Sequence, residues 1–193
     1  MSSVVPESVP RTNSYLSQRF GKFVLSILGW KIEGSFPNEP KLIAAVAPHT
    51  SNWDFIIAIA MKLALRLKVT FMGKDAIFFW PLGILLRSMG GLPIERKHRH
   101  GVVGQMVEQF AANEQMLLGL APEGTRSKTK EWKTGFLTIA KQSQVPVVAI
   151  SLDFATKTAK VHEPVLIKGD IQEELKAFKL KFAGVCAKNP HLV

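Results

Sequence analysis

Cysteine is almost missing from this sequence: Cys186 is the only one in 193 residues. That excludes an intrachain disulfide and any Cys-rich zinc module, and suits a reducing compartment. Tyrosine is as scarce, a single residue against 12 Phe and 4 Trp, so the aromatic content is nearly all apolar. No uninterrupted apolar run reaches the roughly 20 residues needed to cross a bilayer. The opening MSSVVPESVPRTNS lacks the charged start and apolar core of a signal peptide, and residues 1–13 read as a loose, flexible N-terminus. Internal repeats, low-complexity segments and composition breaks are also lacking. Residues 14–193 therefore read as a single domain.

Acidic residues are in short supply, 15 against 25 Lys and Arg, which leaves a formal charge of +10. Such a balance suits an anionic partner: nucleic acid, an acidic membrane surface or a phosphorylated ligand. A basic nucleic-acid-binding protein is the reading from another class, but no stacking platform, helix-turn-helix pattern or zinc finger supports it. The apolar content of 47% marks a folded chain.

Apolar periodicity divides the chain into alternating elements. Ser14 to Trp30 has helical spacing, with Leu16, Phe20, Phe23, Val24, Ile27 and Leu28 on one stripe and Arg19 and Lys22 off it. KLIAAVAP (Lys41 to Pro48) is an apolar run of strand length, as expected of a strand buried on both faces. A helix follows over Asn52 to Leu67, with Lys62 and Arg66 near its C-terminal end. Further strands are expected at Lys68 to Gly73, within Gly90 to Arg96, at Gln115 to Ala121, at Val145 to Phe154 and near Lys160 to Ile167. Helices are expected at Ala76 to Leu86 (started or interrupted at Pro81), Gly101 to Asn113, Phe136 to Ser143 and Ile171 to Ala187. Strands alternating with helices predict an α/β domain with a mainly parallel sheet flanked by helices, plus the N-terminal amphipathic helix.

Three stretches could carry chemistry. In APHTSNWDF, His49 and Asp54 stand where the buried strand ends and a helix begins. Inside one helix they would lie about 140° apart. With His49 in the loop and Asp54 in the first helical turn, the carboxylate can turn back to one imidazole nitrogen and leave the other free to take a proton. A simple helix-capping role for Asp54 fits the spacing equally well, whereas a metal site lacks ligands at zinc spacing. LAPEGTRSKTKEWKTG (Leu120 to Gly135) joins Gly124 to Thr125, Arg126, Ser127, Lys128, Lys130 and Lys133, which suits a phosphate cradle. It lacks the residue order of a Walker loop. In GGLPIERKHRHG (Gly90 to Gly101), Arg96 follows a short apolar strand and is the cation placed to enter a site. Lys97 to His100 read as surface.

Taken together, HTSNWD, GGLPIER, APEGTRS and VPVVAI resemble the four ordered blocks of the glycerolipid acyltransferase family, best known from the lysophosphatidic acid (1-acylglycerol-3-phosphate) acyltransferases. The blocks run from His49 to Ile150, about half of the chain. The resemblance implies an O-acyltransferase of phospholipid biosynthesis. It would move a fatty acyl group from acyl-CoA or acyl carrier protein to a lysophospholipid hydroxyl, with no metal and no cofactor beyond that donor. Other acceptors within the same class are glycerol 3-phosphate, another lysophospholipid or a lyso-aminolipid. His49 would be the general base and Asp54 its orienting partner. Arg96 would help hold the acceptor's phosphate, and Glu123, Gly124, Thr125 and Arg126 would bind the acceptor and shape the loop. Pro146 would be structural. Pro48, Glu95, Ala121 and Ala149 depart from the commonest family residues. None of these removes a group the mechanism needs, but they alter the shape beside the site. Fatty substrates give the apolar excess a purpose: Ser14 to Trp30 and Ala76 to Leu86 could seat the protein on an anionic membrane surface. That would place it peripherally on the cytoplasmic side, without a transmembrane span.

Overall fold

A computed structural model describes residues 5–94, 101–129 and 131–193, with Lys74 described by its backbone alone. Its elements are α1 (Tyr15–Leu28), β1 (Lys31–Glu33), β2 (Lys41–Ala47), α2 (Asn52–Ala64), β3 (Val69–Lys74), α3 (Leu82–Ser88) and β4 (Gly91–Ile94). They continue with α4 (Gly101–Ala112), β5 (Met116–Leu120), α5 (Gly135–Ser143), β6 (Val147–Asp153), β7 (Thr158–Val161) and α6 (Ile171–Lys179). The strands form one sheet in the order β1-β7-β6-β2-β5-β3-β4. Every pairing is parallel except β6 with β7.

The apolar run of β2 lies near the middle of the sheet because it is covered on both sides. Leu42 and Ala44 point into the core beneath α1 and α2, with Ile57, Ala60 and Met61. Ile43 and Ala45 point into the opposite core with Met106, Phe110, Leu137 and Phe178. Alternate side chains of one strand thus serve two cores, and the sheet is the middle of three layers. The predicted α/β architecture with its N-terminal helix is the observed one.

Several local expectations change. Residues 1–13 read as loose, yet the chain is packed from Val5 onward. Val9 is 1% exposed, and Arg11 bridges to Leu67. The apolar residues Val5 and Val9 are too few to give a periodic signal but enough to anchor the segment. β1 went unanticipated, since three residues carry no pattern. The strand expected at Lys160 to Ile167 runs instead over Thr158–Val161, and beyond it Val165 makes only an isolated bridge to Val147. Pro164, which has no N–H to donate, ends the ladder. The helix expected to reach Ala187 stops at Lys179 and tightens to a 3₁₀ turn at Leu180–Phe182, after which Gly184 (φ 76°) turns the chain away. Ala76 to Leu86 is not one helix: a 3₁₀ turn at Asp75–Ile77 precedes α3, which begins directly after Pro81.

α1 starts at the N-cap Ser14, whose hydroxyl accepts the Ser17 N–H, and ends at Gly29 in the left-handed conformation. Its buried face is Gly21 and Leu25, flanked by half-buried Val24 and Leu28. Gly21 is there because a Cβ would stand 2.7 Å from the Ala60 carbonyl oxygen of α2 and closer still to the Ala64 nitrogen. The rest of the predicted stripe is outside: Leu16, Phe20, Phe23 and Ile27 are 81%, 59%, 61% and 67% exposed. Trp53, Phe55 and Ile56 on α2, and Phe79, Trp80, Ile84 and Leu85 at α3, are exposed as well. Among the described residues no helix is long and apolar enough to cross a membrane.

Candidate active site

β2 and β5 are parallel neighbours, with Ala45 opposite Leu120, so the loops leaving their C-terminal ends emerge side by side. One loop carries His49 and the other carries Glu123 to Arg126. Such an edge, where polar loops leave buried strands, is where α/β folds place ligands.

The turn from His49 into α2 is built around Asp54. Ser51 is the N-cap, and its side chain with that of Asp54 forms a capping box. Asp54 Oδ2 accepts the backbone N–H groups of Thr50 and Ser51, both at 2.6 Å, and Oδ1 accepts the Ser51 hydroxyl at 3.2 Å. The carboxylate is 2% exposed, and the helix N-terminus favours its charge. Its Oδ2 also lies 3.6 Å from His49 Nδ1, an ion-pair approach longer than a hydrogen bond. Asp54 is therefore both the capping residue and the neighbour of the imidazole. The two readings that the spacing left open coexist.

On the other ring edge, Arg126 Nε donates to His49 Nε2 at 3.3 Å. A nitrogen that accepts carries a lone pair, so this arrangement goes with the tautomer protonated on Nδ1, toward Asp54. Burial holds the imidazole below the usual histidine range. The Arg126 charge adds to that, and the Asp54 charge opposes it.

The second loop braces the first. Glu123 is buried, and its Oε2 accepts the His49 backbone N–H at 2.9 Å. Burial raises the Glu123 carboxyl above its ordinary range. The His49 hydrogen bond opposes this rise and the Asp54 charge adds to it. Gly124 has φ 68°, and its N–H donates to the Ala121 carbonyl, turning the loop over the sheet edge. Thr125 Oγ1 accepts the Ser127 N–H. Thr125 and Arg126 are exposed at the mouth of a cavity of about 710 Å³. The cavity runs under α2 between His49 and a largely apolar wall that includes Val46, Ile59, Phe71 and Leu117. Lys62 also lines it, with Nζ donating to the Met89 carbonyl.

Six of the residues singled out in the sequence are thus brought together: His49, Asp54, Glu123, Gly124, Thr125 and Arg126. Arg96, with Lys97 to His100, lies outside the described residues, as does Lys130. Among the described residues no three His, Cys, Asp or Glu side chains converge as a metal site. Two features escaped sequence reading. The Glu123 contact to the His49 backbone joins two separate motifs and has no local signature. Asn189, which touches Thr50, belongs to no motif at all.

This fold is similar to the crystal structure of the 1-acyl-sn-glycerophosphate (LPA) acyltransferase PlsC from Thermotoga maritima. The TM-score is 0.61 at 24% identity, over 90% of this chain and 80% of that one. At that identity the likeness is one of fold. No curated protein matches the chain. The acyltransferase family model matches residues 31–153, which takes in β1 through β6 with both site loops. The chain belongs to the acyltransferase family.

Proposed function

We propose that the protein transfers a fatty acyl group from an acyl thioester, carried by coenzyme A or acyl carrier protein, to the free hydroxyl of 1-acylglycerol 3-phosphate. The observation that carries this reading is the position of His49 between Asp54 and Arg126 at the mouth of an apolar cavity. A thioester is already activated, so the protein has to make a hydroxyl nucleophilic and steady a transient oxyanion. His49 Nε2 takes the hydroxyl proton as the oxygen attacks the thioester carbon. The tetrahedral intermediate then collapses, the C–S bond breaks, and imidazolium returns the proton to the leaving thiolate. Asp54 orients the ring and stabilises the imidazolium, and no Ser or Cys nucleophile is needed. The apolar cavity takes a fatty chain. Arg126, with Arg96, holds the acceptor's phosphate, for which a guanidinium fork is suited. The exposed apolar face of α1 seats the protein on an anionic bilayer, the source of the acceptor.

The test is an acyl-transfer assay with both donor types and a panel of acceptors with and without phosphate. Activity with 1-acylglycerol 3-phosphate is expected to exceed that with lysophospholipids whose phosphate is esterified. His49→Ala is expected to lose roughly 10²- to 10⁴-fold in kcat. Near-normal turnover in His49→Ala at matched protein levels overturns the mechanism. Preference for an acceptor without a phosphomonoester overturns the substrate assignment.

A further inference from the structure

Thr50 lies between His49 and Asp54 and is buried, yet it bears three backbone and side-chain groups that must be satisfied. Its N–H goes to Asp54 Oδ2. Both of its oxygens are served by one distant residue. Asn189 N–H donates to Thr50 Oγ1 at 3.2 Å, and Asn189 Nδ2 donates to the Thr50 carbonyl at 2.9 Å. The segment that brings Asn189 there is itself fastened to the end of β6. Cys186 N–H donates to Asp153 Oδ1 at 3.3 Å, Phe154 N–H donates to the Cys186 carbonyl at 2.9 Å, and Ala187 is buried. β6 and β2 are neighbours, with Ser151 opposite Ala47. The strap thus crosses from the end of one strand to the loop leaving the next.

We infer that Asn189 is a positioning residue for the acyl-transfer reaction: it clamps the Thr50 peptide and through it fixes the imidazole of His49 relative to the carboxylate of Asp54. The inference rests on the reading of His49 and Asp54 as the catalytic pair. Asn189 lies beyond residues 31–153, the part of the chain that the family model matches.

Asn189 acts by leverage. The Thr50 peptide is held from one side by Asp54 and from the other by Asn189, so neither hydrogen bond can lengthen without the other side yielding. Without Asn189, the Thr50 carbonyl loses its side-chain donor and the loop can turn about the Asp54 contacts. The Nδ1 to Oδ2 approach, already 3.6 Å, has no slack to spare. A catalytic group misplaced by about 1 Å can cost on the order of a hundredfold in rate, without any change in what the substrate touches.

The experiment compares Asn189→Ala and the near-isosteric Asn189→Asp, which keeps the backbone donor and loses the side-chain N–H, with His49→Ala and the neighbouring Lys188→Ala. It uses the full chain with 1-acylglycerol 3-phosphate in mixed micelles and a long-chain acyl-CoA or acyl carrier protein. Both Asn189 variants are expected to lose about tenfold in kcat. KM for either substrate should stay within about twofold, with Lys188→Ala unaffected. Loss of the donor to the buried Thr50 carbonyl should lower the thermal midpoint of the Asn189 variants by about 2–6 °C, so kcat is read well below the melt, where all variants are folded. Normal kcat in both Asn189 variants overturns the inference. So does a loss that follows the folded fraction in thermal melts, because Asn189 then only holds the strap down. If His49→Ala also turns over normally, it is the catalytic pair that fails.

Discussion

Arg126 Nε sits 3.3 Å from His49 Nε2, the ring nitrogen that does not face Asp54. In the proposed reaction that nitrogen must meet a hydroxyl, so the acceptor has to take the guanidinium's place. A phosphate on the same acceptor offers the guanidinium a stronger partner than an imidazole lone pair. The two charges beside the ring also pull its protonation in opposite directions, which gives a signed test.

The base must be neutral to work, so kcat/KM falls as pH drops through the His49 pKa, and that limb should lie below the ordinary histidine value near 6.5. Replacing Arg126 by Ala removes a cation that disfavours imidazolium, so the limb should move to higher pH. Replacing Asp54 by Asn removes the anion that favours imidazolium, so the limb should move to lower pH, together with a fall in kcat. Profiles normalised to each variant's own plateau check the pair of signs. Movement of both limbs in the same direction would falsify the assignment of the limb to His49.

Glu123→Ala leaves the half-buried His49 N–H without its acceptor, at a cost of about 1 kcal/mol and at most about 3 kcal/mol in stability. For a chain of this size each kcal/mol is about 2–4 °C in Tm. Glu123→Gln behaves differently, because its side-chain oxygen still accepts. The folded Glu123 carboxyl binds its proton more tightly than the unfolded one, so ionisation weakens the fold as pH rises above the ordinary glutamate range near 4.3. Relative to the unaltered protein, the Tm of Glu123→Gln should therefore improve between about pH 4 and neutrality. Thermal melts across that range decide the point, and a gap independent of pH argues against it.

Phe20 and Phe23 are exposed on α1, so changing both to Ser should leave the fold intact. Each side chain contributes at most about 1.5–3 kcal/mol to membrane docking. A basic residue near an anionic surface contributes about 1 kcal/mol, and salt screens it. The double variant should move from anionic vesicles into solution in a sedimentation assay. It should lose activity on bilayer substrate while keeping it on a detergent-dispersed short-chain acceptor. Unchanged sedimentation would remove α1 from the docking surface.

Much of this could be read from one sequence because the signals are local. The β2 run and the polar loop after it placed His49 correctly, and the first-turn position of Asp54 followed from the helix start. The apolar stripe of α1 was found, but not the way it divides. Gly21 looks like a weakness in the helix until α2 is seen against it, and only then does the buried face fall on Gly21 and Leu25. The packing of Val9, the pairing of β1 with β7 and the reach of Asn189 to Thr50 depend on residues far away in the chain. No window of sequence contains both ends of such contacts.

The missing side chain at Gly21 has a mechanical consequence. Backbone rests on backbone where α1 crosses α2, and interiors packed in that way transmit displacement without absorbing it. The helix with the greasy outer face is thereby coupled to the helix whose first turn holds Asp54. The tilt of one sets the tilt of the other. A surface that fixed α1 would also dictate at what height and angle the mouth of the cavity opens toward it.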